Sequence, residues 1–414
     1  MLYFTICARN YLAYALTLRD SLNAVEPDAP FIVFLSDAAD GVDIPGLQVV
    51  GMDALGIADL DDLTFRYTVL ELRTAIKPFC FDYAFDVLKY HEAVFLDPDI
   101  AFFAPPTEIR AAFDAGASAV LTPHLLEPLN DDRSPSNIDI LSSGTFNLGF
   151  AGFANQPEAR RFLDWWGREL RASCYVDVPR GLFVDQKFAD FAPSFLERLS
   201  VIRHKGYNVA YWNLAGRAVT TTQTGLMAAG SPLVFFHFSG VDPSRPDVFS
   251  KHQNRFDLSA IGPAARLVRD YTEKLRENGH ADWARVPYHY GGFRDGLVIP
   301  APVRRARKPG TATAADFEAF DGVHWNAPSE DVDQDTGVPI SRLMLGYYWM
   351  RPDLQRLYPV ATARGRKLFH DWFMTYGMEE YGLTGAQVPA GARAHPLIEP
   401  ISRLFRRIRL KTRL

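Results

Sequence analysis

The run Ala93-Val94-Phe95-Leu96-Asp97-Pro98-Asp99-Ile100-Ala101-Phe102-Phe103 sets two carboxylates between two apolar segments. Ala93 to Leu96 reads as a short strand that stops abruptly at the acidic pair. Two charges at the end of a buried strand are costly unless something pairs with them. Carboxylates separated by one residue can ligate a hard divalent cation from a single turn; the bland alternative is an Asx turn with Pro98 at its first corner. The spacing alone is weak, because at an Asp abundance of about six per cent one or two such triplets arise by chance in a chain of this length. Asp59-Leu60-Asp61 and Asp331-Val332-Asp333 are two more. The flanking apolar runs are what single out Asp97 and Asp99.

The opening of the chain reads as a β-α-β unit. Leu2 to Cys7 is strand-like, and Tyr11, Ala15, Leu18, Leu22 and Val25 then share a helical face. A second strand, Phe31 to Leu35, ends at Ser36-Asp37, and Thr74 to Leu88 reads as a helix before the acidic run. Strands alternating with helices predict an α/β fold, a mixed but mostly parallel sheet flanked by helices. Ligands of such sheets sit outside the carboxyl ends of the strands, where Cys7 to Asn10, Asp37 and Asp97 to Asp99 fall. Phe146 to Phe150 predicts another strand, followed by a helix with Ala159, Phe162, Leu163, Trp166 and Leu170 on one face. Phe183-Val184-Asp185-Gln186, the loop Gly206-Tyr207-Asn208, and a strand Leu233 to Phe236 ending at His237 complete a catalytic domain expected over residues 1–255. Residues 256–400 are expected as a mainly helical accessory region. Its stripes are Ala264, Leu267, Tyr271, Leu275 and Leu368, Trp372, Phe373, Tyr376, and the aperiodic stretch 300–316 is expected as an exposed connection.

With 44 basic against 49 acidic residues, the formal charge of -5 argues against a protein built to grip nucleic acid. Three cysteines, Cys7, Cys80 and Cys174, are too few and too scattered for a disulfide framework or a thiolate zinc site, so a reducing compartment fits. No apolar run reaches the length of a membrane-spanning helix, and the start lacks the features of a signal peptide. The last residues, 401–414, alternate six Arg/Lys residues with Ile401, Leu404, Phe405, Ile408, Leu410 and Leu414. The expectation is a cytoplasmic protein, soluble or peripheral, whose tail reads either as a segment binding anionic lipid on the inner face of the membrane or as a frayed basic end.

Other residues offer chemistry of their own. A His at a strand end, here His237, is commonly structural but also makes a third metal ligand beside two carboxylates, and Lys251-His252 supplies donors that could neutralise a pyrophosphate. Asn147 and Asp185-Gln186 flank apolar segments, as groups meeting sugar hydroxyls would. The acidic loop Asp331-Val332-Asp333-Gln334-Asp335 begins like an EF-hand, but Thr336 stands where Gly is needed and Arg342 where a bidentate Glu is needed.

These pieces occur in the order of a known family. Residues 1–255 resemble the GT-A (Rossmann-like) nucleotide-sugar glycosyltransferases, most closely the retaining glycosyltransferase family eight, the glycogenin and bacterial lipopolysaccharide galactosyltransferase type. The resemblance rests on Cys7-Ala8-Arg9-Asn10-Tyr11, Thr74-Ala75-Ile76-Lys77-Pro78, Leu96-Asp97-Pro98-Asp99-Ile100, Phe146-Asn147-Leu148-Gly149-Phe150, Asp185-Gln186 and His237-Phe238-Ser239-Gly240. It implies that Cys7, Ala8, Asn10, Tyr11 and Asp37 hold the base and ribose of a nucleotide-diphosphate sugar, a UDP-sugar by preference. Lys77 would meet donor oxygens, and Asp97, Asp99 and His237 would ligate Mn²⁺ or Mg²⁺. Asn147, Asp185 and Gln186 would face the donor sugar, with a glycan, lipid-linked or cell-surface acceptor. The chain departs from the family in following His-x-x-Gly with Val241-Asp242-Pro243-Ser244-Arg245 instead of an early Lys, which leaves Arg245 or Lys251 to fill that role. Two other readings share the sheet: a sugar nucleotidyltransferase, disfavoured by the absence of Gly from Cys7 to Asn10, and a carbohydrate-binding protein without turnover.

Overall fold

A seven-stranded sheet in which six strands run one way forms the core of the first 201 residues. The computed structural model describes residues 1–332 and 338–388. Its strands are β1 (Leu2–Cys7), β2 (Phe31–Leu35), β3 (Gln48–Gly51), β4 (Glu92–Leu96), β5 (Ile100–Phe102), β6 (Ala119–Pro123) and β7 (Phe146–Ala154), followed by Leu199–Val201 and Phe235–His237 among others. The large sheet is ordered 199–201, β6, β7, β4, β1, β2, β3, and only β7 runs antiparallel, between β4 and β6. The mixed, mostly parallel α/β sheet read from the sequence is therefore present. Parallel strands bury both faces and read as continuous apolar runs; all six residues of β1 are buried, and so are all nine of the antiparallel β7 between its two neighbours.

β5 leaves this sheet and pairs antiparallel with Phe235–His237, Ile100 opposite His237. Asp97-Pro98-Asp99 thus forms the corner between two sheets. Its backbone is held by hydrogen bonds from Asp97 N–H to Gly149 O (2.7 Å), from Ile100 N–H to Asp97 O (3.2 Å) and from Phe238 N–H to Asp99 O (2.8 Å).

Several helices differ from their sequence reading for local reasons. Thr74 to Leu88 is two helices, Val69–Ala75 and Lys77–Asp86, because Pro78 has no amide proton and fits only in a first turn. In the helix Leu12–Val25, Ala15, Leu18 and Leu22 are buried as expected, while Tyr11 precedes the helix and is 38% exposed. Pro157–Ser173 buries the expected Ala159, Phe162, Leu163, Trp166 and Leu170.

The described chain falls into two units, 1–60 with 69–289, and 61–68 with the described residues from Tyr290 onward. The helix Ala264–Glu277, grouped in the sequence with the accessory region, packs in the first unit, where Tyr271 stacks on Phe238 with ring centroids 3.9 Å apart. The second unit gathers helices such as Arg342–Trp349 and Ala363–Trp372 around Ile340, Leu343, Phe369 and Phe373. Its last stripe runs one residue out of the expected frame: Phe369 is buried while Leu368 is 43% exposed, since Phe369 and Phe373 form the competing spacing of four. The stretch 300–316, expected as an exposed connection, contains the helix Ala301–Ala306 with Pro302, Val303 and Arg304 buried. The Arg304 guanidinium donates to the carbonyls of Phe65 (2.6 Å), Tyr67 (3.2 Å), Thr64 (3.3 Å) and Tyr290 (2.5 Å). The basic segment 401–414, and the acidic loop from Asp333, lie outside the described residues. No helix among the described residues is long and apolar enough to cross a membrane.

A buried carbonyl stripped of its donor costs about 1–3 kcal/mol, so Arg304→Met, which keeps the volume and removes four donated bonds, is expected to destabilise the protein by about 3 kcal/mol. Urea titration reads this directly, and an unchanged midpoint refutes it.

Candidate active site

The antiparallel pairing of β5 with Phe235–His237 brings a histidine from a distant part of the chain to the acidic corner. His237 Nε2 lies 2.9 Å from Asp99 Oδ1 and 3.7 Å from Asp97 Oδ2. One ligand atom from each of the three lies within 4.8 Å of the others, and no second group of three His, Cys, Asp or Glu side chains gathers so closely among the described residues. The rival Asp59 is tied instead to Arg171 at 2.8 Å. Two carboxylates and one imidazole could hold a divalent cation, and the carboxylates remain 19% and 21% exposed, within reach of a ligand. Gly149 permits the group to close. A Cβ there would stand 2.4 Å from His237 Cε1 and 2.9 Å from Asp97 Oδ2.

Charge in this corner is finely balanced. Burial works to raise the Asp99 pKa, but attraction and hydrogen bonding to His237, with Arg73 behind, hold it below the usual carboxylate range. Burial likewise works to lower His237, and Asp99 and Asp97 overcome it and hold the imidazole above its ordinary value. Arg73, on the helix Val69–Ala75, has its pKa depressed by burial and raised by a greater amount by Asp97, Asp99, Tyr11 and Asp185. It forms no ion pair or hydrogen bond among the described residues. An unpaired guanidinium in the field of three carboxylates is a poised anion or hydroxyl donor.

Beside it, Lys77 is ion-paired with Asp185 in a buried contact. The Lys77 ammonium also donates to Leu148 O (2.8 Å) and lies 4.0 Å from the Phe95 ring centroid. Burial raises the Asp185 pKa, against the pull of Lys77. Asn147 and Gln186 join the same neighbourhood with their amides engaged by protein groups. Gln186 Oε1 accepts from Leu148 N–H (3.0 Å) and Asn147 Nδ2 (3.4 Å), and its Nε2 donates to Ser143 O (2.8 Å).

The other expected contacts cluster after β1 and β2, which pair in register with Cys7 opposite Leu35. The Cys7 thiol packs among Leu12, Ala15 and Val33, with its pKa pushed up to about 12 by burial, so it offers no side chain to a ligand. Ala8 is buried and its carbonyl accepts from Tyr11 N–H (2.9 Å). Asp37 has both oxygens occupied: Oδ2 accepts from Arg9 N–H (3.2 Å), and Oδ1 from the amides of Ala38 (2.9 Å) and His289 (3.0 Å). Asn10 Oδ1 is buried with no partner among the described residues, an unsatisfied acceptor. Tyr11 stacks on Tyr14 at 4.7 Å. Lys251 is exposed, in the field of Asp242 and His252.

Sequence reasoning missed Arg73, although it stands four residues before Lys77, two cations one helical turn apart in an apolar context. It also missed His124 and Asn208, both buried beside the acidic corner. Asn208 had one signal, a position in a predicted loop, and it takes a positive φ of 53° that Asn tolerates better than most residues. His124 had none.

No family model matches the chain. It is 25% identical over 248 residues to the uncharacterized protein YfnF of Bacillus subtilis (strain 168), covering 58% of this chain and 80% of that one. It is 32% identical over 147 residues to the uncharacterized protein YfnD of the same organism, covering 35% of this chain and 45% of the relative, which is less than half of its length. Among solved structures it overlaps the galactosyltransferase LgtC in complex with donor and acceptor sugar analogs, with a TM-score of 0.41 and 15% identity over 67% of this chain and 96% of that one. It also overlaps a glycosyltransferase involved in glycosylation of the major capsid of PBCV-1, with a TM-score of 0.36 and 11% identity over 67% of this chain and 100% of that one. At these values the overlaps carry no argument about the chemistry of this chain.

The raised His237 pKa sets a pH dependence. A cation must displace the imidazole proton, so its affinity is expected to rise by about tenfold per pH unit from pH 6.5 upward until the folded pKa is passed. The metal-free protein should show the opposite sign. Stabilisation by the protonated His237 is complete below the ordinary imidazole pKa and is lost as pH rises through the raised one. Isothermal titration with Mn²⁺ across pH, beside melting of the metal-free protein, checks both; affinity independent of pH refutes the assignment of His237 as a ligand.

Proposed function

We propose that the protein is a metal-dependent glycosyltransferase that moves a sugar from a nucleotide-diphosphate sugar to a glycan, lipid-linked or cell-surface acceptor, in the manner of the GT-A enzymes of family eight. The observation that carries the reading is the close Asp97, Asp99 and His237 group at the carboxyl edge of the sheet, beside Arg73, which has no ion pair among the described residues. Two carboxylates and an imidazole in that position would hold the cation, and the bound cation would supply charge neutralisation for a diphosphate leaving group. Arg73 is the donor best placed to meet donor oxygens, and Lys251, exposed on its loop, is a further cation for the phosphates. Asn10 and the backbone after β1 support a base and ribose site, and Asp185, tied to Lys77, supports a hydroxyl-accepting wall for the donor sugar.

Excess Mn²⁺ with a panel of nucleotide sugars, UDP-sugars first, is expected to yield free nucleoside diphosphate, and Asp99→Ala to reduce the rate by at least about 100-fold. Release of pyrophosphate from a sugar phosphate and a nucleoside triphosphate would favour the nucleotidyltransferase instead. Binding without turnover would favour the carbohydrate-binding protein, and full turnover in excess chelator would remove the cation from the reading.

Transfer with retention is part of the proposal. An inverting enzyme needs a free carboxylate base behind the anomeric carbon. Asp185, the carboxylate expected near the sugar, is ion-paired with Lys77, and both ends of the Gln186 amide are bonded to the protein. Front-face transfer needs neither. The acceptor oxygen bonds to the anomeric carbon as the bond to the diphosphate oxygen breaks, and that departing oxygen takes the acceptor proton. Proton NMR of the first product from an α-linked donor is expected to show an α-linkage; a β-linkage would assign Asp185 as the general base.

A further inference from the structure

Behind the acidic corner runs a line of buried polar side chains in which every donor and acceptor role is forced. It begins at Gly144 O, which can only accept, so the His124 nitrogen 2.8 Å away, Nδ1, carries a proton. His124 Nε2 is then an acceptor, and the Asn147 amide turns its Nδ2 toward it at 3.1 Å. The same orientation is demanded from the other side, where Gly149 N–H, which can only donate, meets Asn147 Oδ1 at 3.1 Å. Asn147 Oδ1 also accepts from Asn208 Nδ2 (3.0 Å), whose second proton goes to Thr122 Oγ1 (2.9 Å). Asn208 Oδ1 therefore faces His237 Nδ1 at 3.2 Å. Only a protonated Nδ1 satisfies that contact, which leaves Nε2 directed at Asp99 and Asp97.

We propose that His124, Asn147 and Asn208 are positioning residues that hold His237 in its Nδ1–H tautomer, with Nε2 presented to the cation. The inference rests on the metal reading of the acidic corner and extends it to three residues that touch no cation. Two further observations support it. Burial lowers the His124 pKa to about 4, which keeps its Nε2 an acceptor at neutral pH. The Trp212 ring stands edge-on to both imidazoles, 5.5 Å from His124 and 5.2 Å from His237, and limits their rotation. Partners that orient a ligating imidazole through its second nitrogen are worth about 10- to 100-fold in metal affinity.

Mn²⁺ affinity, read from the free-ion signal in electron paramagnetic resonance at fixed pH, is the test, with melting to confirm folding. Asn208→Gly suits the positive φ and deletes the amide, and is expected to weaken binding by about 10- to 100-fold. Asn208→Asp keeps the acceptor facing Nδ1 and should restore most of it. His124→Phe, remote from the cation and free of backbone strain, should weaken binding by about tenfold. The double variant His124→Phe/Asn208→Gly should bind no more weakly than Asn208→Gly alone, because both changes interrupt one line. Fully additive losses in the double variant, or wild-type affinity in folded Asn208→Gly, would overturn the inference while leaving the metal reading intact. A wild-type protein that binds no Mn²⁺ overturns both.

Discussion

Two carboxylates at the end of a buried strand are an electrostatic demand that the surrounding structure has to meet. Asp97 and Asp99 sit at the corner between β4 and β5, and isolated charges there would be costly in a low-dielectric setting. The fold meets that demand from three directions: the His237 imidazole across the antiparallel pair, the Arg73 guanidinium on the helix Val69–Ala75, and backbone hydrogen bonds that fix the corner itself. The compensation is partial, since Arg73 forms no ion pair among the described residues and the carboxylates stay partly exposed. A corner held together this way keeps three ligand atoms within 4.8 Å of one another and leaves its carboxylates open to a cation.

Rigidity in the site comes from residues that carry no charge. Gly149 lets β7 pass close enough for His237 and Asp97 to meet, where any side chain would collide with both. The Asn147 amide is filled by four protein partners, Gln186 Oε1 and His124 Nε2 on one side and the groups of Gly149 and Asn208 on the other. Expected by resemblance to face a sugar, Asn147 has its hydrogen-bonding capacity directed inward, and so does Gln186. The polar residues nearest the corner thus divide into charged groups at the corner and amides bonded to the protein around it. A fully satisfied buried network of this kind specifies one geometry, whereas a half-satisfied one would cost more than an apolar core.

Much of this was legible in the chain because it depends on short-range pattern. The continuous apolar runs of β1, β2 and β4 predict buried parallel strands, the helix Pro157–Ser173 buries the face its spacing predicts, and the abrupt stop at Asp97 marks the carboxyl edge. Where local patterns competed, they misled: the frames of Leu368 and Phe369 are both helical, and only packing chose the second. Pro78 divided a helix whose periodicity continues through it.

Near-neighbour pattern in the chain was enough for the early strands β1, β2 and β4 and the acidic corner, since turn chemistry and apolar spacing act over short range, whereas β7 runs on to Ala154 and the last strand begins at Phe235, beyond what local pattern marked. Which groups meet depends on how the strands pair in space. Lys77 pairs with Asp185 across 108 positions, Asn147 reaches Asn208 across 61, and His237 contacts Asn208 across 29. No periodicity couples such distant positions. They are joined because the strand order sets β7 between β4 and β6 and turns β5 back against Phe235–His237, and once those backbones are close, burial obliges each polar atom to find a partner.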